Sequence, residues 1–265
     1  MPSIKLKVLN RQGNTLAASS MGERASLRHT APYCEGDKIA LETDTAGLFC
    51  VVQFEDSMAP ALIFVKGISA EFCIPPEDNR KNYSPKSFTG SCHLIRARVA
   101  AKENLQMRHC LSYNPYDEHG EHGFFPHAAA NVETRGEAVF AARNAIDGIF
   151  ENTAHGAYPY QSWGINRDPN AQLTIDFGRK VTADEVRLTL RADFPHDNYW
   201  ETAVLAFDDG SEEMLSLRKT GETQVFTLQP RTICKVTLRK LRMAEGESPF
   251  PALTQIELYG TEAEQ

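Results

Sequence analysis

The stretch RADFPHDNYWE at 191–201 places acids, a histidine, an amide and two adjacent aromatics between two apolar runs. This mixture suits sugar recognition, because an aromatic ring stacks on the C–H face of a pyranose while polar side chains hydrogen-bond to its hydroxyls. A loop that joins two strands lies on the surface, where exposed aromatic area is unfavourable unless a ligand covers it. The stretch therefore predicts a carbohydrate-binding loop with the following candidate side chains: Arg191, Asp193, His196, Asn198, Tyr199 and Trp200.

A structural interpretation of the same loop stays open. Trp200 would then be the inward-facing aromatic residue at the start of the next strand. Arg191 and Asp193 would form an ion pair that rigidifies the turn, and His196 would be exposed without a ligand. The residue types alone do not separate the two interpretations.

Two more loops carry the same kind of polar and aromatic residues. The segment 152–170, NTAHGAYPYQSWGINRDPN, contributes His155, Tyr158, Tyr160, Asn166 and Arg167. It also holds Trp163, for which a place in the core is the alternative to a ligand contact. In the segment 245–255, Phe250 lies between two prolines, whose fixed φ angles hold it rigidly. If these loops converge on 191–200, they form one walled pocket.

The junction YDEHGEHGFFPH at 116–127 holds three histidines, His119, His122 and His127, among three acids. A zinc site needs three or four ligands in a tetrahedral arrangement. The glycines within the segment argue against a helix that would align the histidines. A solvated linker is therefore expected at 117–127, and metal binding there is the open alternative.

Catalytic motifs such as GxSxG, HExxH and a Gly-rich phosphate loop do not occur in the sequence. We therefore expect a non-catalytic binding protein. A glycoside-active enzyme is the alternative, because glycosidases need only two carboxylates about 5 to 10 Å apart. Its candidate acids are Asp193, Asp197, Glu201 and Glu133. A second alternative is an intracellular protein-interaction module, which predicts a broad apolar patch in place of a polar and aromatic pocket.

Composition narrows the class of protein further. The chain has 265 residues and a formal net charge of -7, which argues against nucleic acid as a partner because that needs a concentrated basic patch. The sequence has no run of 18 apolar residues, so membrane insertion is not expected. The first residues lack the apolar run of a secretory signal. The six cysteines are far apart without a CxxC pair, which indicates buried, reduced thiols. These features predict a cytoplasmic protein, and they leave its oligomeric state open.

The elements that must position these loops are almost all strands. Residues 1–112 alternate apolar and polar residues in short runs separated by turn residues, which predicts an antiparallel β-sandwich of unknown role. After the junction at 113–127, similar runs fill a second domain at 128–265. One short helix is expected within TRGEAVFAARNAIDG at 134–148, where Thr134 and Glu137 fit a capping box and Gly148 ends the pattern. The fold class is all-β, with two β-sandwich domains.

The order of motifs in the second domain resembles a known family. The motifs are ARNAIDG, SWG, AQLTIDFGRKVTADEVRL, the hairpin AVLAFDDGSEEML and the closing ALTQIELYG. They are similar to the discoidin, or coagulation factor type C, domain, a group that includes family 32 carbohydrate-binding modules. The likeness covers roughly 124–262. It implies a galactose-binding-like jelly roll that holds a glycan in the loops at one end.

The resemblance also implies a calcium ion at the turn after the AxDG motif. Its ligands would be the carbonyl of Asn144, the side chain of Asp147, a carbonyl near Ile149 or Asn152, and an acid in the last strand. At that last position the sequence has Gln255, and Glu257 follows two residues later. A hard divalent cation prefers several carboxylates. The alternative is that Asp147 hydrogen-bonds the local backbone and that no metal is present.

Overall fold

A computed structural model of the chain describes residues 1–120, 123–246 and 248–263. The protein is all-β, as predicted, with antiparallel sheets built around two separate hydrophobic cores. In the part of the chain that the structure describes, no helix has the length and apolar character needed to cross a bilayer.

The N-terminal domain is a sandwich of two sheets. Alternation places Ile4, Leu6 and Val8 of the first strand in the core, fully buried between the sheets. One sheet has the order β2-β1-β4-β7 and the other β10-β6-β5-β8-β3. The strands are β1 (Ile4–Leu9), β2 (Thr15–Ala18), β3 (Arg24–His29), β4 (Lys38–Thr43), β5 (Leu48–Gln53), β6 (Ala61–Val65), β7 (Ser69–Cys73), β8 (His93–Val99) and β10 (Phe124–Phe125). Outside the sheets lie a 3₁₀ turn (Glu77–Asn82) and the α-helix α1 (Lys102–Gln106).

The C-terminal domain is built on two long bent strands that pair with each other and share one core. Its main sheet has the order β12-β17-β13-β16-β14-β15. The predicted hairpin is present, and Gly210, with φ +87°, occupies its Asp-Gly turn. The strands are β9 (His109–Cys110), β11 (His127–Ala130), β12 (Trp163–Gly164), β13 (Leu173–Leu190), β14 (Trp200–Phe207), β15 (Glu212–Ser216), β16 (Gln224–Met243) and β17 (Ala252–Glu262).

The expected helix at 134–148 is not continuous. The segment forms three 3₁₀ turns, at Thr134–Gly136, Ala138–Phe140 and Ala142–Ile146. Arg135 has a left-handed backbone with φ 54°, which interrupts any helix at its start. The capping box is absent because Glu137 pairs with Arg135 and the Thr134 hydroxyl accepts a hydrogen bond from the backbone N–H of Asn166.

The junction is not the solvated linker that the sequence favoured. The buried carboxylate of Asp117 binds the ring of His127 at 2.7 Å and the backbone N–H of Ala128 at 2.8 Å. His119 contacts Glu133 at 2.7 Å. The remaining histidine, His122, and its neighbour at 121 lie outside the described residues. The segment thus takes part in the packing between the domains.

The chain crosses between the domains three times between β8 and β11. Strand β9 already pairs with β17 of the C-terminal sheet, whereas β10 returns to pair with β6 of the N-terminal sheet. Arg143 makes contacts at the same boundary. Its guanidinium donates to the carbonyls of Asp117 and Pro115, and its guanidinium carbon lies 4.5 Å from the ring centroid of Tyr83. The two sandwiches are therefore interleaved at their contact.

All six cysteines are free thiols, but the expectation that they are buried holds only for Cys50. Cys34 and Cys92 are exposed, and the other three are half-buried. Burial raises the pKa of the Cys50 thiol to about 12, which keeps it protonated.

Candidate functional site

The three loops that the sequence singled out meet around one cavity of about 210 Å³. We call it the Phe250 pocket. Its walls come from the 3₁₀ turns, from the segments 152–170 and 191–200, and from the loop before β17. The lining residues are Thr134, Arg135, Phe140, His155, Gly164, Ile165, Asn166, Arg167, Arg191, His196, Pro249, Phe250, Pro251 and Ala252.

A cation stacked on an aromatic ring forms one wall of the pocket. The guanidinium carbon of Arg167 lies 4.5 Å from the ring centroid of Phe250, within the range of an attractive cation–π contact. Asn166 and Arg167 both have left-handed backbones, with φ 49° and 62°. Such conformations are unfavourable for residues other than glycine and are concentrated at functional sites. The turn thus holds the exposed Arg167 against the half-buried Phe250.

A buried ion pair holds the pocket's loops together. Nε of Arg191 donates to the Asp197 carboxylate at 2.5 Å, and both side chains are shielded from solvent. The same guanidinium donates from Nη2 to the carbonyl of Phe250 at 2.9 Å. The sequence suggested Asp193 as the partner of Arg191, and this is wrong: the partner is Asp197. Arg191 therefore ties the loop 191–200 to the loop that carries the aromatic ring.

Asp193 instead faces two histidines at the rim of the pocket. Nδ1 of His155 lies 3.0 Å from its Oδ2, and Nδ1 of His196 lies 3.8 Å from the same oxygen. The two imidazole rings are stacked, with centroids 4.7 Å apart and planes 6° apart. Both histidines keep about half of their side chains exposed, which leaves them accessible to a ligand.

Several candidate residues lie in the core instead of the pocket. Trp163 and Trp200 are fully buried with ring centroids 6.3 Å apart, and Trp163 donates to the carbonyl of Val132. Stacking of either indole on a ligand is therefore excluded in this structure. Asn198 is buried as well, with its amide bound to the carbonyl of Ala244 at 2.9 Å. Tyr199 is half-buried and packs against the same core.

Tyr158 lies apart from the Phe250 pocket. Its backbone N–H donates to the carbonyl of Lys81 at 2.7 Å, and its side chain lines a cavity of about 130 Å³ between the two domains. It cannot join His155 and Phe250 around one ligand, although all three were proposed for the same site. Proximity in the chain to His155 gave no information on the direction of this side chain.

Arg135 is a pocket residue that sequence reasoning missed. The capping box at Thr134 places it at the start of a helix, whereas its guanidinium lies exposed at the pocket, 5.6 Å from the ring centroid of Phe140. The signal was present in the Arg-Gly dipeptide, because Gly136 is unfavourable inside a helix and typical of a turn.

The candidate catalytic acids do not face one another across the pocket. Asp197 is paired with Arg191, Asp193 with His155, and Glu133 with His119. Glu201 contacts Arg242 at 3.7 Å on a strand. Among the described residues, the lining contains no carboxylate.

Solved structures similar to this chain include carbohydrate-binding modules. One is chitosan-binding module 1 from a chitosanase/glucanase of Paenibacillus sp. IK-5, at 20% identity and a TM-score of 0.40, which covers 57% of this chain and 99% of the module. Another is the family 32 module of NanJ from C. perfringens in complex with galactose, at 14% identity and a TM-score of 0.41. The match covers 58% of this chain and 99% of that module. The lectin binding domain of Lectinolysin, solved as a His 62 mutant with Lewis b, has 14% identity and a TM-score of 0.42. It covers 59% of this chain and 99% of that domain.

No protein-family model and no curated protein matches the sequence.

The oxygens that the resemblance offers to calcium are bound by an amide. Nε2 of Gln255 lies 2.7 Å from the carbonyl oxygen of Asn144, 3.1 Å from that of Ile149 and 2.8 Å from a carboxylate oxygen of Asp147, so its two N–H groups are shared among these acceptors. Its Oε1 accepts from the N–H of Gly148, which fixes the orientation of the amide. A neutral NH₂ group thus lies where the cation would, and only one carboxylate is present. The residues do not fit a calcium ion.

The other candidate ligands have hydrogen-bond partners within the chain. The carbonyl of Asn152 accepts from the N–H of Ala192, and its amide donates to the carbonyls of Leu190 and Gly221. Asp147 accepts from the backbone N–H of Ile149 at 2.9 Å. Complete burial raises the pKa of the Asp147 carboxyl to about 6, opposed by Arg143.

Proposed function

We propose that this protein binds a carbohydrate, or a related polar ligand, in the Phe250 pocket without making or breaking a bond. The observation that carries the proposal is the convergence of three chain segments, each contributing polar or aromatic side chains, on one cavity. A cavity of about 210 Å³ is smaller than the ~300 to 1,000 Å³ typical of sites for drug-sized molecules. It suits one monosaccharide unit of a glycan.

The chemistry of the walls supports this ligand class. The Phe250 ring offers an apolar face to pyranose C–H groups. Arg135 and Arg167 supply N–H donors to hydroxyls, and His155 and His196 supply groups that donate or accept. Such a small, partly exposed site predicts a Kd in the micromolar to millimolar range, about 4 to 8 kcal/mol.

The same walls favour binding over hydrolysis. Glycoside hydrolysis needs one carboxyl as an acid and a second as a nucleophile or base on either side of the scissile bond. The described lining is cationic and aromatic, and the acids of the loop 191–200, Asp193 and Asp197, are bound to His155 and Arg191. Because the amide of Gln255 replaces a cation, we expect the binding to be independent of calcium.

A glycan-array screen of the full chain, in calcium and in chelator, tests the proposal. The best ligand is then titrated calorimetrically against Phe250→Ala and Arg167→Ala. Phe150→Ala is the matched control, because Phe150 is an exposed phenylalanine of the C-terminal domain that lies outside the pocket. We expect Kd to rise by about tenfold or more for the two pocket variants and to stay unchanged for the control.

If the folded protein binds no glycan on the array, the proposal of carbohydrate binding is wrong. Equal losses in Phe250→Ala and Phe150→Ala overturn the location. Release of reducing sugar from the bound glycan overturns the non-catalytic part and favours a glycoside-active enzyme.

A further inference from the structure

We propose that His155, Asp193 and His196 form a site for a divalent transition-metal ion such as Zn²⁺ at the rim of the Phe250 pocket. One ligand atom from each of the three side chains lies within 4.8 Å of the other two. Two imidazole nitrogens and a carboxylate oxygen are a donor set that zinc prefers. The inference does not depend on the carbohydrate proposal, because it concerns the metal alone.

The distances suit a small tetrahedral ion. Zinc lies about 2.0 to 2.1 Å from imidazole nitrogen and about 2.0 to 2.2 Å from carboxylate oxygen, so neighbouring ligand atoms are roughly 3.4 Å apart. The observed separations from Asp193 Oδ2 are 3.0 Å to Nδ1 of His155 and 3.8 Å to Nδ1 of His196. Both separations lie within about half an ångström of that value, and one ligand atom from each residue lies within 4.8 Å of the others.

Both Nδ1 atoms lie near the same carboxylate oxygen, Oδ2 of Asp193. Nδ1 of His196 also lies 3.3 Å from Oδ1 of Asp197. The imidazole rings are parallel within 6°, with centroids 4.7 Å apart. Because the lone pair of each nitrogen lies in its ring plane, one side chain must rotate for both nitrogens to bind one ion. The opposite Nε2 atoms remain on rings that are about half exposed.

The backbone beneath the three side chains is fixed by contacts outside the cluster. The N–H of Ala192 donates to the carbonyl of Asn152 at 2.8 Å, which joins the two loops that carry the ligands. The N–H of Asp197 donates to the carbonyl of Asp193 at 2.9 Å, and the side chain of Asp197 is held by Arg191. Because these loops are already fixed, less conformational entropy is lost when a metal ion binds.

Three protein ligands leave at least one coordination position for water or an external donor. His155 and His196 also line the Phe250 pocket, so this position is next to the bound ligand. A metal held there would present a Lewis-acidic centre to a hydroxyl or carboxylate group in the pocket.

Calorimetric titration of the full chain with ZnCl₂, without any glycan, tests the site, and Co²⁺ absorption reports the ligand type. We expect one strong site per chain with a micromolar Kd. His155→Ala, His196→Ala and Asp193→Asn should each weaken it by at least about tenfold. His119→Ala is the matched control, because His119 is an exposed histidine paired with an acid away from the pocket.

Three outcomes overturn the proposal. They are the absence of saturable binding up to millimolar zinc, an unchanged Kd in the His155→Ala/His196→Ala double variant, and a thiolate charge-transfer band with Co²⁺. The last result would place the ion on the exposed Cys34 or Cys92. Circular dichroism and the thermal midpoint show that each variant is folded, so loss of binding is not loss of structure.

Discussion

Arg191 and Asp197 form an ion pair that solvent hardly reaches, with Nε of the guanidinium 2.5 Å from the carboxylate. They are six residues apart, at either side of the turn that carries Asp193 and His196. Because the same guanidinium also binds the carbonyl of Phe250 at 2.9 Å, this pair connects the histidine-bearing loop to the aromatic wall of the pocket. The pair therefore stabilises both the fold and the shape of the site.

Removal of Asp197 should destabilise the protein strongly. Asp197→Ala leaves the buried guanidinium of Arg191 without its counter-charge, and breaking a buried pair in this way lowers the free energy of unfolding by about 3 to 5 kcal/mol. Asp193→Ala, in the same loop but about a third exposed, should lower it by less than about 1 kcal/mol. Urea denaturation measures both. Equal losses would contradict the role assigned to Asp197.

Introduction of a second carboxylate should create a calcium site. Gln255→Glu replaces the donating amide by an acceptor among the oxygens of Asn144, Asp147 and Ile149. In chelator we expect the variant to have a lower thermal midpoint than the wild type, because two carboxylates and two carbonyls then face one another without the donor amide between them. Millimolar calcium should restore it, since an ion that binds only the folded state stabilises that state.

The wild type is the control for that experiment. Its thermal midpoint should be the same in calcium and in chelator, because the Gln255 amide already satisfies these oxygens. A rise in the wild-type midpoint with calcium would show that the amide is displaced, and the calcium-free assignment would then be wrong.

Asp147 should make stability depend on pH. Burial raises the folded-state pKa of its carboxyl to about 6, above the ordinary value of 3.8. The protonated form is thus favoured by folding, so its stabilising contribution is complete below about pH 4 and is lost as pH rises through 6. Relative to Asp147→Asn, the free energy of unfolding of the wild type should fall by roughly 3 kcal/mol between pH 4 and 7.

The comparison with asparagine isolates this carboxyl from the other titrating groups. Oδ2 of Asp147 accepts from the amide of Gln161, and Oε1 of Gln161 is buried without a hydrogen-bond partner. An asparagine at 147 can therefore be accommodated by a flip of the Gln161 amide. Parallel pH profiles of the two proteins, measured by urea denaturation, would show that Asp147 does not titrate in this window.

Gly178 should be intolerant of a side chain because the domains meet there. It has φ +66°, and an added Cβ would lie 2.4 Å from the ring of Phe125 in β10. Gly178→Ala combines backbone strain with overpacking, for a loss of about 2 to 4 kcal/mol. Gly210→Ala has a similar positive φ of +87° but open space, so it should lose only about 1 kcal/mol. Equal thermal shifts would contradict a close interdomain contact.

The all-β class, the strand alternation and three of the segments that line the pocket could be predicted from the amino-acid sequence. Alternation in the first strand predicts which of its residues are buried, and the Asp-Gly turn predicts the hairpin at Gly210, because both depend on neighbours in the chain. The choice of 152–170, 191–200 and 245–255 as loops with binding residues rests on composition in the same way.

Which side chains reach the pocket depends on the tertiary structure. Trp200 and Asn198 have the types of ligand-binding residues but turn inward, because the core offers an aromatic neighbour to one and a backbone carbonyl to the other. Arg191 pairs with Asp197 instead of Asp193. The side chain of Gln255 binds the carbonyl oxygens of Asn144 and Ile149, which are more than 100 positions away in the chain. Such contacts depend on the convergence of distant segments, which local patterns of residues do not encode.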